Sequence, residues 1–510
     1  MTTVVIIVCY LVGVTAVASY FARRSRDSSS WTVASGQMGL LMVAAGVAGT
    51  RIGGVGTYGV AGDVMRTGLW NLWYAVNTFL ALLLVGMFFA RAFRRLKLET
   101  VSEIFQRRFG SRRCQVLTSL CVQTEYLIIN ILEPYVIGSI LAPLLNIPFI
   151  VAVFLGAAIL IVATSLGGLW GNSVANVIHC VTILAGLLIV GFLGLDRVGG
   201  WEGLRSGVDA ALAGGAIEPA RWWSFIGAGW FAVIAMFFSA TVHTPAASVY
   251  VNFASAAKTE RTILPAFVLG GLIAALMPLL AGWIGMQTLA VYGASSGLRS
   301  YAAITQLALD ISPLIGGLAL AAVLAAVISS GGPILLASST LLLKDWVPAY
   351  ERMSSEAKLK ALRVVTVIYG LLAAVLAWKG QIASILDLLL LGFAMVVPPA
   401  VAIAYLLFWS RTTERACFWS MLTGYGSGLA WFLGLRWIEK RVEAGADIPG
   451  FLAGIAHGLE SGSWWAELLD PSYLTTLVPL AMVPILSVLE PPTRHDADSF
   501  REKAGTLAGL

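Results

Sequence analysis

The chain has 510 residues, 58% of them hydrophobic and only 12% charged, about half the charged share of an ordinary soluble domain. That composition excludes a soluble enzyme and implies an all-α polytopic membrane protein. The net charge of +6 says little about nucleic acid, because the basic residues sit mostly in short loops, where they report orientation.

The first apolar run, Val4 to Phe21, is long for a signal sequence and ends in Ala22-Arg-Arg-Ser-Arg26 rather than a cleavage site preceded by small residues, so it is read as a retained helix. Runs long enough to cross a ~30 Å hydrocarbon core number about thirteen. They cover 4–21, 40–62, 69–93, 116–141, 148–165, 170–194, 223–243, 263–291, 314–341, 362–378, 383–409, 417–437 and 472–488. Alternate connections are basic: Arg23 to Arg26, Arg91 through Arg113, Lys258 and Arg261, Lys344 through Arg363, and Arg411 with Arg415. That side is cytoplasmic by the positive-inside rule, which puts the N-terminus outside and the C-terminus inside. Arg436, Lys440 and Arg441 are the exception, with Glu439, Glu443 and Asp447 among them. Residues 1–490 form one transmembrane domain, and 491–510 a cytoplasmic tail. The cysteines Cys9, Cys114, Cys121, Cys180 and Cys417 have no metal spacing and read as small hydrophobes.

One stretch departs from a plain anchor. Val43 to Gly62 is apolar, yet it holds seven glycines after Ala45 and an arginine, Arg51, near its middle. Gly53, Gly54 and Gly56 loosen the helical ladder and free backbone groups, which a bilayer tolerates only where they are buried in protein or line a wet cavity. A charge such as Arg51 costs about 2.5 to 3.5 kcal/mol at mid-membrane on translocon scales, so it needs an interior partner. A second interrupted run, Phe238 to Tyr250, carries Pro245 together with Ser239, Thr241 and Thr244. Two broken helices five spans apart suggest an inverted repeat of five plus five helices, at about 40–198 and 222–410, with the site where the breaks meet. Thr100 followed by Glu103 reads as a capping box opening a short amphipathic helix on the inner surface. Gly450 to Glu467 reads as an outer interfacial segment.

These residues resemble the sodium:solute symporter family over essentially the whole chain. The telling pieces are Ile52-Gly-Gly with Gly59, Gly68-Leu-Trp-Asn-Leu-Trp-Tyr74, Thr100-Val-Ser-Glu103 through Phe109, Gly167-Gly-Leu169, Ala256-Ala-Lys258, and Ala325 through Ser330 followed by Ala337 through Thr340 and Asp345. The resemblance implies the LeuT-type inverted-repeat fold and a Na+ site made by the carbonyls of Gly49, Ile52 and Ala326 with the hydroxyls of Ser329 and Ser330. Five neutral oxygens suit a weakly held monovalent cation. The chain departs from the family pattern at Arg51, at Ala175-Asn176 and His179 on the ion's inward route, and at His243 and Phe253.

Three arrangements are open to Arg51: pairing with a substrate carboxylate, pairing with a fixed acid, or no partner if the guanidinium stands in for the coupling ion. Glu125, Glu133 and Asp387 are the available acids, with Glu133 the first choice. His179 and His243 are candidates for coupling protons. Arg51, Gly56, Ala75, Asn77, Thr78, Glu133, Ser239 and His243 are expected to line the solute pocket.

The expected function is cation-coupled symport rather than an enzymatic reaction: no HExxH occurs, and no paired catalytic carboxylates fall in a plausible pocket. The solute is expected to be small, polar and organic, and carboxylate-bearing if Arg51 binds it. Na+ is the expected coupling ion, with H+ coupling or Na+ independence as alternatives, and a solute sensor acting with a separate signalling partner as the reading from another class. The partners are the solute and the lipid of a plasma or bacterial inner membrane, not nucleic acid, with the chain a monomer or loose oligomer.

Overall fold

The computed structural model describes residues 2–21, 27–213, 215, 217–294, 303–380, 385–444, 449–461, 464–490 and 494–506. Arg23 to Arg26 and Asp447 lie outside them. The elements that position the site are α1 (Thr2–Phe21), α2 (Leu40–Thr67), α3 (Leu69–Arg95), α4 (Glu103–Phe109), α5 (Arg112–Leu145), α6 (Phe149–Arg197), α7 (Trp230–Ala246), α8 (Ser248–Ala256), α9 (Glu260–Tyr292), α10 (Pro313–Trp346), α11 (Ser355–Lys379), α12 (Ile385–Phe408), α13 (Glu414–Glu443), α14 (Pro471–Leu489) and α15 (Arg494–Ala504).

Ten of the described helices are long and apolar enough to cross a membrane, or eleven when the bent pair α7 and α8 counts as one span. The expected crossings at 148–165 and 170–194 are the two arms of α6, a 49-residue helix too long for one crossing. They join at Gly168 (φ 55°), where an added Cβ would lie 2.7 Å from the Trp31 ring. The expected crossing at 417–437 falls in α13, which is not among the ten.

α2 and α10 form the centre. Both have 83% of their apolar window buried, against 17% for α1. α10 packs on α6, α5 and α2, α9 packs on α2 and α3, and α13 packs on α14. Wholly apolar surfaces explain these contacts only in part, since glycines such as Gly270 of α9, against the backbone of Ala44, let the helices approach closely.

The basic face is closed by a polar seal. Lys344 pairs with Glu99 (2.9 Å) and Glu103 (2.5 Å), and Asp345 accepts from Thr100 (3.1 Å), Gln115 (2.9 Å) and Ser102. The expected capping box is therefore absent. α4 begins at Glu103 after Ser102, and Thr100 spends its hydroxyl on Asp345 instead of a helix N–H. α4 is two-faced, as expected: Glu103, Ile104, Phe105 and Arg108 are buried, while Gln106 and Arg107 are exposed. Burial raises the Glu103 carboxyl above its usual pKa, with Lys344 opposing that shift.

Candidate functional site

The first break, in α2, follows from one backbone angle. Gly53 takes φ 53°, ψ 176°, a conformation that favours glycine, and a π-turn from Val55 to Gly59 follows. A Cβ at Gly53 would also lie 2.9 Å from Glu133 Oε1. The freed N–H of Gly54 donates to both Glu133 oxygens, at 3.2 and 3.4 Å, and Ser330 Oγ donates to Oε1 at 2.5 Å. Glu133 thus caps a broken helix end, its carboxyl oxygens accepting where a backbone donor is freed.

On the other side of α2 lies a cluster of carbonyls. Ser329 Oγ is 2.9 Å from Gly49 O and 2.8 Å from Ala326 O, and it has one proton for both. Asn176 Nδ2 donates to Ser329 O at 3.1 Å and reaches Gly46 O at 3.5 Å. Four carbonyls are served by a hydroxyl and an amide, so the cluster is rich in acceptors and suited to a hard monovalent cation. Among the described residues no group of three or more His, Cys, Asp or Glu could hold a metal ion.

The structure thus brings Gly49, Ala326, Ser329 and Asn176 together. Ser330 turns its hydroxyl to Glu133, with Val327 O at 3.1 Å and Ala326 O at 3.4 Å, rather than to the Gly49 carbonyl. Ile52 lines the neighbouring cavity. His179 hydrogen-bonds Tyr10 of α1 and makes no bond to the carbonyl cluster, which separates it from Asn176.

The second break, in α7, consists of a π-turn from Phe238 to Val242 and a 3-10 turn from Thr244 to Ala246 that includes Pro245. Arg51 reaches across to it. Its Nη2 donates to Ala240 O, its Nη1 to His243 Nε2 at 3.4 Å, and its Nε to Thr78 Oγ1 at 3.4 Å. The guanidinium also lies 5.0 Å from the Phe393 ring centre and 5.8 Å from that of Tyr74. His243 Nδ1 faces Ser239 O at 2.5 Å, so that nitrogen donates and Nε2 accepts, which assigns a neutral imidazole. The ring stacks on Phe393 at 4.0 Å.

Glu133 is therefore not the partner of Arg51, whose hydrogen bonds all go to neutral acceptors. The reason is the helix break, which claims Glu133 first. Asp387 is likewise elsewhere, 4.0 Å from Arg66, which also bonds Asp63 at 3.0 Å.

Between the two breaks is a narrow cavity of about 30 Å³, large enough for water. Arg51, Glu133 and Ser330 line it, with Tyr74, Glu125, Tyr250 and Phe393. Gly56, Ala75, Asn77, Thr78, Ser239 and His243 do not. Thr78 and His243 lie behind Arg51 and hold it, Ser239 holds His243, and Asn77 accepts from Thr241 at 3.2 Å. Tyr74 takes the cavity face expected of Ala75, and Gly56 backs that ring, its added Cβ 3.6 Å from Tyr74 Cε1. Glu125, Ile129 and Glu133 share a face at spacings of four residues, a helical signal that marks Glu125 as a lining group from sequence. Its Oε2 has no hydrogen-bond partner among the described residues.

The Sodium:solute symporter family pattern matches residues 31–424. The chain belongs to this family. The symporter is 22% identical over 464 residues to an osmoregulated proline transporter of Bacillus subtilis, covering 88% of this chain and 92% of that one. It is 24% identical over 468 residues to sodium/glucose cotransporter 4 of Homo sapiens, covering 83% and 68%. Its fold is similar to that of a Na+-coupled sialic acid symporter in a substrate-bound outward-open state, with a TM-score of 0.77 at 18% identity over 96% of this chain and 98% of that one. A nucleobase-cation-symport-1 family transporter in a closed conformation gives 0.58 at 16% identity over 93% and 98%. The symporter has the LeuT-type inverted-repeat fold, and it is a secondary transporter of small organic solutes in a membrane.

Proposed function

We propose that the symporter couples entry of Na+, bound at the Gly49, Ala326 and Ser329 cluster, to uptake of a small polar solute whose carboxylate meets Arg51. The observation that carries this reading is the shared proton of Ser329. One hydroxyl between two carbonyls can turn its hydrogen away and present three oxygens to a cation, and the cluster adjoins the break whose other end lines the cavity. Arg51 supports the second half, since it is a planar donor set facing a cavity with no carboxylate bonded to it.

The narrowness of the cavity supports alternating access. A 30 Å³ cavity admits no organic solute, so binding requires the walls around Arg51 to part on one face while the Lys344 and Asp345 seal holds the other. One Na+ moving with a zwitterionic, net-neutral carboxylate solute carries one charge down the membrane potential, about 2.3 kcal/mol per 100 mV, whereas a solute of net charge −1 would be driven by the Na+ gradient alone. The proposed orientation puts the basic loops in the cytoplasm and the N-terminus outside a plasma or bacterial inner membrane, with the chain working as a monomer or loose oligomer.

The test is a thermal-stability screen of the purified symporter against carboxylates and neutral solutes, in Na+ and in choline. Stabilisation by a carboxylate in Na+, reduced in choline and followed by Na+-dependent uptake into vesicles, is expected. Equal uptake in both salts would overturn the ion assignment.

A further inference from the structure

On the basic face, away from the transport site, lies a larger cavity of about 600 Å³. Arg95, Arg107, Arg108 and Lys503 line it, with Ser499 and Phe500. Arg95 ends α3, Arg107 and Arg108 end α4, and the other three belong to α15. No acidic residue is among the described lining groups.

The surrounding acids account for only part of this charge. Glu260 binds Arg95 through both oxygens, at 3.0 and 2.9 Å, and Asp498 lies 4.0 Å from Arg501 rather than from Lys503. Arg107 and Lys503 make no ion pair among the described residues, and both are exposed. Arg108 is buried and fixed, its guanidinium 4.8 Å from the Phe109 ring centre and 6.0 Å from that of Phe500. A buried planar cation beside two exposed ones and a hydroxyl is a donor set for a multi-oxygen anion. The place is also suited to one, because basic pockets at the positive face of a membrane protein lie at the level of lipid phosphates.

We propose that this cavity binds a phosphate group, held by Arg107, Arg108 and Lys503, as the headgroup of an anionic phospholipid or as a soluble phosphate ester. The site spans two parts of the chain, so its occupant ties the terminal helix α15 to α4. α15 already buries Phe500 and Ala504 and places Arg501 Nε 3.3 Å from Leu407 O, which leaves the phosphate as a charged clamp on a docked helix.

The experiment uses the full chain in neutral detergent, with thermal stability read against added phosphatidylglycerol, phosphatidylcholine, inorganic phosphate and glycerol 3-phosphate. The comparison protein is Arg107→Gln/Lys503→Gln, whose changes fall on exposed side chains. Phosphatidylglycerol is expected to stabilise the wild type where phosphatidylcholine does not, with an apparent affinity weakened roughly thirtyfold in the double variant, from about 1 kcal/mol per basic residue. Stabilisation by glycerol 3-phosphate or inorganic phosphate, lost in the double variant, supports a soluble source instead. Absent shifts, or equal shifts in the two proteins, overturn the proposal. A preserved melting temperature of the ligand-free variant shows that it folds.

Discussion

Beside the α2 break, the carbonyls of Gly49 and Ala326 share the proton of a serine, while at the α7 break the carbonyl of Ala240 holds an arginine. The backbone problem is the same in both places, namely acceptors freed in a region without bulk water. The remedies differ in what they allow afterwards. A hydroxyl rotates about one bond and lets a cation take its place among the carbonyls. A guanidinium brings its own charge and stays, because leaving would strand both the charge and the carbonyl. Ion dependence should therefore reside on the α2 side, and solute charge selection on the α7 side.

The largest effect should come from removing the fixed cation. Arg51→Gln loses charged hydrogen bonds to Ala240, Thr78 and His243, each kind worth about 1.5 to 3 kcal/mol, so melting of the ligand-free protein should fall. Stabilisation by carboxylate solutes should vanish, and Arg51→Lys should not restore it, since a point charge lacks the planar fork. Adding Glu133→Gln should not rescue stability, because Glu133 serves Gly54 and Ser330. Rescue by that second change would revive a direct Arg51 and Glu133 pair.

Next in size is Asn176→Asp. The native amide donates to Ser329 O, whereas a carboxylate there would face carbonyl oxygens with no proton to offer. The variant should melt lower in choline and recover in Na+, with the Na+ concentration for half-maximal binding lowered roughly tenfold, about 1.4 kcal/mol. An unchanged Na+ response would place the ion elsewhere. Ser329→Ala works in the opposite direction. It should raise that concentration by a similar factor of about ten while costing the fold about 1 kcal/mol for a neutral hydrogen bond.

The breaks themselves were legible in the sequence, and for a physical reason. Gly53 and Pro245 change what the backbone can do irrespective of the rest of the chain. The cluster of Gly49, Ala326 and Ser329 came through family resemblance, since hydroxyls spaced along an apolar helix do not reveal which carbonyl they face. Arg51's need of a partner was legible, but its choice of partner was not. That choice depends on competition: the N–H of Gly54 and the hydroxyl of Ser330 occupy Glu133, and the turn at Ala240 offers a carbonyl instead. The capping box failed in the same way, with Asp345, 245 positions away from Thr100, outbidding a local N–H. Side-chain direction on α3 was a third such case, for one residue separates Tyr74, which lines the cavity, from Ala75, which does not.

The smallest effect should come from Ser239, and it probes whether the α7 side is as fixed as its bonding suggests. Its hydroxyl sits 3.0 Å from Ala235 O and 3.2 Å from Met236 O, within its own helix, and only its backbone carbonyl holds His243. Ser239→Ala removes both hydroxyl contacts and keeps the backbone carbonyl that holds His243. Melting should move by less than about 0.5 kcal/mol, since such bonds to the preceding turn add little to a helix. Solute stabilisation and Na+ dependence should both be retained. Lost solute binding with normal melting would show that the hydroxyl turns toward the solute once the cavity opens, and the α7 side would then contain a rotor of the kind Ser329 provides beside α2.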